Sequence, residues 1–216
     1  MYLGGNGFYW KVAVSDVWPD AVEIRRGEGG IRAWASEPGE YYNAFDGEYG
    51  GLWRRNGRAP QVLAGVGFTS QGDHYGAQYR RTPESYSNEW AWVFEGITEE
   101  IIGDFGLSGG GAAGFELDRA DTMLGTPLNA VTLASSEGHD DSFVLVPEDI
   151  LTHHDTLPHK PIKELIRADI VYFETAKGGG IFSVGSITFC GSLPHNNCEN
   201  NISKMVENVI RKFLSN

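Results

Sequence analysis

Tyr2-Leu3-Gly4-Gly5-Asn6-Gly7-Phe8-Tyr9-Trp10 sets an apolar pair, a run of small residues and an aromatic triplet around one asparagine. The spacing predicts a short buried strand running into a turn with Asn6 at its tip. Glycine supplies the positive φ such a turn needs at little cost. A tight strand-to-turn junction can hold one side chain out at the carboxyl edge of a sheet, where ligands of α/β proteins bind. The Asn6 amide can both donate to and accept from a substrate amide. The same spacing also suits Asn6 as a plain left-handed turn residue. A phosphate cradle is disfavoured. At this turn the spacing fits neither GxGxxG nor GxxxxGK[ST], and Phe8-Tyr9-Trp10 is too bulky to open a phosphate-binding helix.

Outward from that turn, Tyr9–Val14 and Ala21–Arg26 read as strands. Residues 27–60 are rich in Gly, Tyr, Trp and Pro without a period, which predicts long ordered loops of the kind that carry function. Gln61–Thr69 reads as a strand, 70–88 as a polar aromatic loop, and Glu89–Ile97 as either strand or helix. Ala112–Asp118 and Ala130–Ser135 read as short strands, Pro147–Ile150 as a helix start, and Pro161–Ala168 as one or two helical turns. Asp169–Thr175 and Gly180–Phe189 read as a hairpin joined by Ala176-Lys177-Gly178-Gly179. Ile202, Met205, Val206, Val209, Ile210, Phe213 and Leu214 recur at three and four, predicting a C-terminal helix capped by Asn200 or Asn201. The expectation is one mixed α/β domain over 1–216 with an antiparallel edge. Met1 is followed at once by a strand, where a parallel sheet normally has earlier elements, so the N-terminal part of the natural protein is expected to be absent.

A net charge of −12 argues against nucleic acid or an anionic membrane as partner, because both would repel the chain. No stretch reaches the ~18 apolar residues of a membrane span, and no signal peptide is seen, so a cytoplasmic location is expected. Cys190 and Cys198 are not a CxxC pair; a reduced pair is the expectation, with a disulfide left open.

A second small-residue run, Gly109 to Gly114, leads into Phe115-Glu116-Leu117-Asp118-Arg119. Alternation puts Glu116 and Asp118 on one face. Glu116 at a strand end could act as a base; it could equally be an edge-strand carboxylate paired with Arg119. Glu137-Gly138-His139-Asp140-Asp141 clusters histidine with acids, but HxH and HExxH spacings are missing, which favours a surface cluster over a metal site. His153, His154 and His159 read as solvated, and His195-Asn196-Asn197 as turn and capping residues. No serine or cysteine lies in an activating frame. Trp10, Trp34, Trp53, Tyr41, Tyr42, Tyr49, Tyr75 and Tyr79 interleave with Arg54, Arg55, Arg80 and Arg81. The acidity favours loop packing or an oligomer contact over single-stranded nucleic acid.

The segment Tyr2 to Trp10 resembles the core of the large (β) subunit of N,N-dimethylformamidase and its relatives. The likeness continues in order through Val22-Glu23-Ile24-Arg25-Arg26, Leu52-Trp53-Arg54, Ala113 to Arg119, and Phe182 to Ile187 running on to Asn208 and Phe213. The resemblance implies a glutamine-amidotransferase-like (flavodoxin-like) mixed sheet with long aromatic loops, the first half of the core lying outside this sequence. It implies hydrolysis of small N-substituted amides, formally dimethylformamide to formate and dimethylamine. It also implies a mononuclear iron held by two tyrosines and a glutamate in a His-Asp-Glu-Tyr-Trp motif. That motif is not in this sequence, so no metal ligand is expected here, and the isolated chain is expected to be inactive. Carried over by position, Asn6 would orient the substrate amide, Glu116 would be base or support, and Arg26 would fix Glu116 or substrate. Trp10 and His139 are expected to line the substrate. A homo-oligomer or a small-subunit partner is implied as well. The alternative is a non-catalytic binding or oligomerisation module of a larger protein.

Overall fold

The computed structural model describes residues 1–26, 37, 39–148 and 161–215. The expected Trp34 loop residue, His153, His154, His159 and the end of the Pro147–Ile150 helix start lie outside them; Pro147 and Glu148 are helical.

The dominant element is a strand the sequence does not advertise. β3 runs from Gly67 to Arg81, 15 residues, through the stretch expected to be a loop. Its pairing explains how so polar a segment stays extended. Its first half pairs antiparallel with β5 (Ala113–Arg119) and β7 (Val144–Leu145). The pairing with β5 reaches Ala77, and the last four residues, from Gln78 to Arg81, pair with β4 (Ile101–Ile102) and β6 (Val131–Glu137). Register shifts between Phe68 and Ser70 and between Gln71 and Gly76 mark the places where β3 leaves regular pairing with β5, and such irregularities bend and twist a strand. The sheet continues from β6 to β8 (Asp169–Glu174) and β9 (Gly180–Ser183), giving the order β4-β3-β6-β8-β9 with β5 and β7 on β3. The ladders among the described strands are antiparallel; Tyr2 forms a single parallel bridge to Ser183 at the β9 edge. The class is therefore mixed α/β, dominated by a curled sheet.

Other expectations shift for local reasons. Gln61–Thr69 divides: Pro60–Ala64 is a short helix, α1, with proline at its start, and β3 begins at Gly67. A short apolar run cannot be assigned by periodicity alone, and the proline was the available signal. Tyr2 and Trp10 make isolated bridges with a turn between them, in place of a continuous strand. The expected strands of 9–14 and 21–26 shrink to the ribbon β1 (Ala13–Val14) and β2 (Val22–Glu23). Ala91–Phe94 is a 3-10 turn, and Ile162–Leu165 is the one-turn helix α2.

The terminal helix α3, Asn201–Leu214, forms as its periodicity predicts, with Asn200 accepting from the Ser203 N–H at 2.8 Å as N-cap. Its buried Ile202, Met205, Val206 and Val209 join the main core with Tyr79, Leu133, Ile170, Phe182 and Phe189 from the sheet side. Asn208 ties the helix to the Ala91–Phe94 turn, donating to the Val93 and Glu95 carbonyls at 3.1 and 2.9 Å. A second core of Tyr9, Leu52, Phe68 and Val146 packs the segment after the Asn6 turn against the start of β3. The result is a turn held over the β5 face. No helix among the described residues is long and apolar enough to cross a membrane.

Candidate active site

Two carboxylates on one face of β5 hold the Asn6 turn. The Asn6 side-chain amide donates from Nδ2 to Glu116 Oε1 at 2.8 Å, and the Asn6 backbone N–H donates to Asp118 Oδ1, also at 2.8 Å. Residues i and i+2 of a strand share a face, so a single strand delivers both acceptors. Tyr2 completes the arrangement. Its hydroxyl donates to Asp118 Oδ2 at 2.9 Å and accepts the Gly7 N–H at 2.7 Å.

The turn is a forced one. Asn6 sits at φ 62° and Phe8 at φ 57°, in the left-handed region that non-glycine residues rarely enter. Gly5 is required by closeness: a Cβ there would lie 2.8 Å from the Glu116 carbonyl oxygen and 2.9 Å from the Ile187 nitrogen. Phe115 is also left-handed, at φ 56°, and its ring lies 4.1 Å from that of His74, immediately before Glu116. Backbone outliers persist where surrounding structure over-determines them, and they gather at functional sites.

Burial sets the electrostatics. Asp118 is fully buried, which pushes its pKa up to about 7; the Asn6 N–H and Tyr2 hydroxyl pull the other way, and the Glu116 charge adds to the rise. The Tyr2 phenol is held well above its ordinary range by burial and by the Asp118 charge. Among the described residues no three His, Cys, Asp or Glu side chains gather to hold a metal.

The other expected site residues stand elsewhere. The Arg26 guanidinium lies 4.8 Å from the centroid of the Trp10 ring, a cation–π contact, and no hydrogen bond or ion pair joins it to Glu116 among the described residues. Trp10 packs edge-on against Tyr9 at 5.4 Å and bridges to Leu52. His139 borders a separate cleft of about 520 Å³ with Ser136, Phe143, Ile162 and Ile166. Its Nε2 is 2.6 Å from the Ser136 hydroxyl, and burial lowers its pKa to about 4, so it is neutral at physiological pH. Arg119 pairs with Asp121 and the Leu165 carbonyl, not with Glu116. Cys190 and Cys198 are free thiols, both exposed. Asp118 and Tyr2 are the residues that sequence reasoning passed over. The alternation placing Asp118 beside Glu116 was the signal for the first, and nothing in the pattern marked Tyr2 as more than a strand residue.

The Asn6 carboxamide braced against the Glu116 carboxylate keeps a second amide N–H and a carbonyl oxygen that can hydrogen-bond other groups. The chain belongs to the family described as N,N-dimethylformamidase beta subunit-like, C-terminal, whose model matches residues 1–200. It is 43% identical over 219 aligned positions to the N,N-dimethylformamidase beta subunit of Paracoccus aminophilus, covering 99% of this chain. The same figures hold for the N,N-dimethylformamidase beta subunit of an Alcaligenes species. The chain spans 28% of the length of these relatives.

Proposed function

We propose that this chain supplies the Asn6–Glu116 half of an active site that hydrolyses small N-substituted amides, dimethylformamide among them. The observation that carries the reading is the 2.8 Å bond from Asn6 Nδ2 to Glu116 Oε1 on a strained, over-determined turn. An asparagine amide has two N–H groups. One is spent on Glu116, which fixes the plane of the amide; the other is left to donate to the carbonyl oxygen of a substrate. That donor stabilises negative charge as the carbonyl carbon becomes tetrahedral. Glu116 takes a proton from the attacking water and returns it to the departing amine, which leaves as dimethylamine when the substrate is dimethylformamide.

The identity to named beta subunits supports both the substrate class and a multi-subunit setting. In this proposal an iron centre of the complete protein would act as a Lewis acid on the same carbonyl, and this chain by itself would not turn over the substrate. The amidotransferase-like mixed sheet belongs to the same proposal; the isolated bridge from Tyr2 to Ser183 is its parallel element beside the antiparallel ladders of the described strands. A second reading, an assembly surface, has one observation in its favour. Phe8, Trp53, Pro60, Val62 and Leu63 line an apolar hollow of about 400 Å³ beside the turn.

The test is dimethylformamide turnover by the protein as its host makes it, with Glu116→Gln and Asn6→Ala variants. Loss of turnover in folded variants supports the active-site reading. Full turnover by either would leave the assembly reading in possession.

A further inference from the structure

We infer that Asp118 and Tyr2 form a positioning pair that sets the aim of the Asn6 amide, and that they do so only while Asp118 is a carboxylate. The inference rests on the reading of Asn6 and Glu116 given above and adds to it two residues that touch no substrate.

Hydrogen-bond accounting makes the case. In the ionised state every polar atom of the relay has one use. Asp118 Oδ1 accepts the Asn6 N–H, Oδ2 accepts the Tyr2 O–H, and the Tyr2 oxygen accepts the Gly7 N–H. The relay thus clamps the backbone on both sides of the Asn6 Cα, by the N–H of Asn6 itself and the N–H of Gly7. Those two clamps hold a residue at φ 62°, a conformation it would otherwise leave. Fixing the Cα and the backbone direction fixes where Cβ and the amide point, and hence the bond to Glu116. A protonated Asp118 breaks the accounting. Its O–H would donate to Tyr2, and the Tyr2 proton would lose its acceptor inside a buried pocket, which disfavours that arrangement.

Asp118 lies between the two states because opposing forces are close to balance. The groups facing it are Tyr2 and Asn6 from the turn and Glu116 from its own strand, with Tyr79 of β3 and, through Tyr79, Asp169 of β8 in the same field. The Gly185 carbonyl accepts the Asp118 N–H at 2.8 Å. No cation is among these groups, so burial and negative neighbours oppose ionisation, and the two donors are what favour it.

A relay that positions predicts effects on turnover and its pH dependence that simple packing would not produce. Tyr2→Phe keeps the ring and removes both hydrogen bonds. Asp118→Asn keeps the acceptor for Asn6 N–H but presents an amide N–H₂ to the Tyr2 hydroxyl. In the intact protein, both are expected to lower kcat for dimethylformamide about 10- to 100-fold, with KM moving less than about threefold. The acid limb of the wild-type kcat profile, near pH 7, should be absent from Asp118→Asn. Asp118→Glu, longer by one methylene, should not rescue. Thermal midpoints and circular dichroism accompany each variant, and Tyr2→Phe carries the test if Asp118→Asn does not fold.

The outcomes separate cleanly. If Glu116→Gln and Asn6→Ala abolish turnover while folded Tyr2→Phe and Asp118→Asn keep wild-type kcat and the wild-type pH limb, the positioning inference is wrong and the catalytic reading stands. If Glu116→Gln and Asn6→Ala are themselves fully active, the catalytic reading falls and takes this inference with it.

Discussion

Two left-handed asparagine turns lie among the described residues, and they are built in opposite ways. At the first, Asn6 lies at φ 62° with Phe8 at φ 57° two residues on, and Asn6 is gripped by Glu116 through its side chain and by Asp118 through its backbone. At the second, Asn196, Asn197 and Cys198 run in sequence at φ 49°, 55° and 68° on an exposed lead-in to α3. There the bonds are local: Asn196 Nδ2 donates to the Glu199 carbonyl at 3.0 Å, and Asn200 Nδ2 to the His195 carbonyl at 2.7 Å. The second turn spends its asparagines on closing the chain before a helix. The first draws its partners from a strand more than a hundred residues away and leaves its side chain aimed at an acid. Left-handed geometry alone does not mark a site. Long-range partners that hold a side chain in one pose do.

The largest effect that would break or sharpen this contrast belongs to Glu116. Glu116→Gln keeps the shape of the acceptor but cannot take a proton, so turnover of dimethylformamide should fall by about 10²–10⁴-fold with the fold intact. Activity above a tenth of wild type would make the first turn no different in kind from the second.

Next come the opposed pH responses of two buried groups. Burial raises the pKa of Asp118 from an ordinary 3.8 to about 7. The folded protein thus binds its proton more tightly than the unfolded chain does, so Asp118 contributes stability that is full below about pH 3.8 and is lost as pH rises through about 7. His139 is shifted the other way, from 6.5 to about 4, so the stability linked to it is present above pH 6.5 and is lost as pH falls through about 4. Between those limits, denaturant midpoints of Asp118→Asn should gain on wild type as pH rises, and those of His139→Gln should gain on it as pH falls. Parallel slopes for the two variants would refute the assignment of at least one shift.

Smaller changes are expected at the second turn. Asn200→Ala removes the cap of α3 and should cost about 1 kcal/mol in chemical denaturation, with turnover unaffected. Asn196→Gly relieves a left-handed residue and removes one exposed hydrogen bond, so stability should change by no more than about 1 kcal/mol.

What could be read from the sequence follows the range of the interactions. α3 and its Asn200 cap, β5, β6 and the β8–β9 hairpin rest on periodicity and turn chemistry within a few residues, and all were legible. β3 was not, because its polar middle carries no alternation of its own: Gln71 is held by Glu116 and Val144 across the sheet, and the chain crosses an irregularity before pairing resumes at Gly76. α1 was hidden in an apolar run that fits helix and strand equally, with Pro60 as the unused clue. For the site, spacing left Asn6 divided between scaffold and function, and Glu116 divided between base and ion pair. The family likeness, confirmed over residues 1–200, tipped both toward the site. The contact between them closes a loop of 110 residues, which no local pattern encodes. Arg26, expected to fix Glu116 or substrate, lies over the Trp10 ring.

Asn6→Gly is the most direct measurement. Glycine accepts φ 62° more readily than asparagine and keeps the N–H that Asp118 accepts, so the turn should survive while the amide is deleted. A thermal midpoint within a few degrees of wild type, together with a fall in kcat/KM of about 10²–10³-fold, is the predicted result. Unimpaired turnover in that folded variant would contradict the assignment of Asn6 and Glu116 as the working pair.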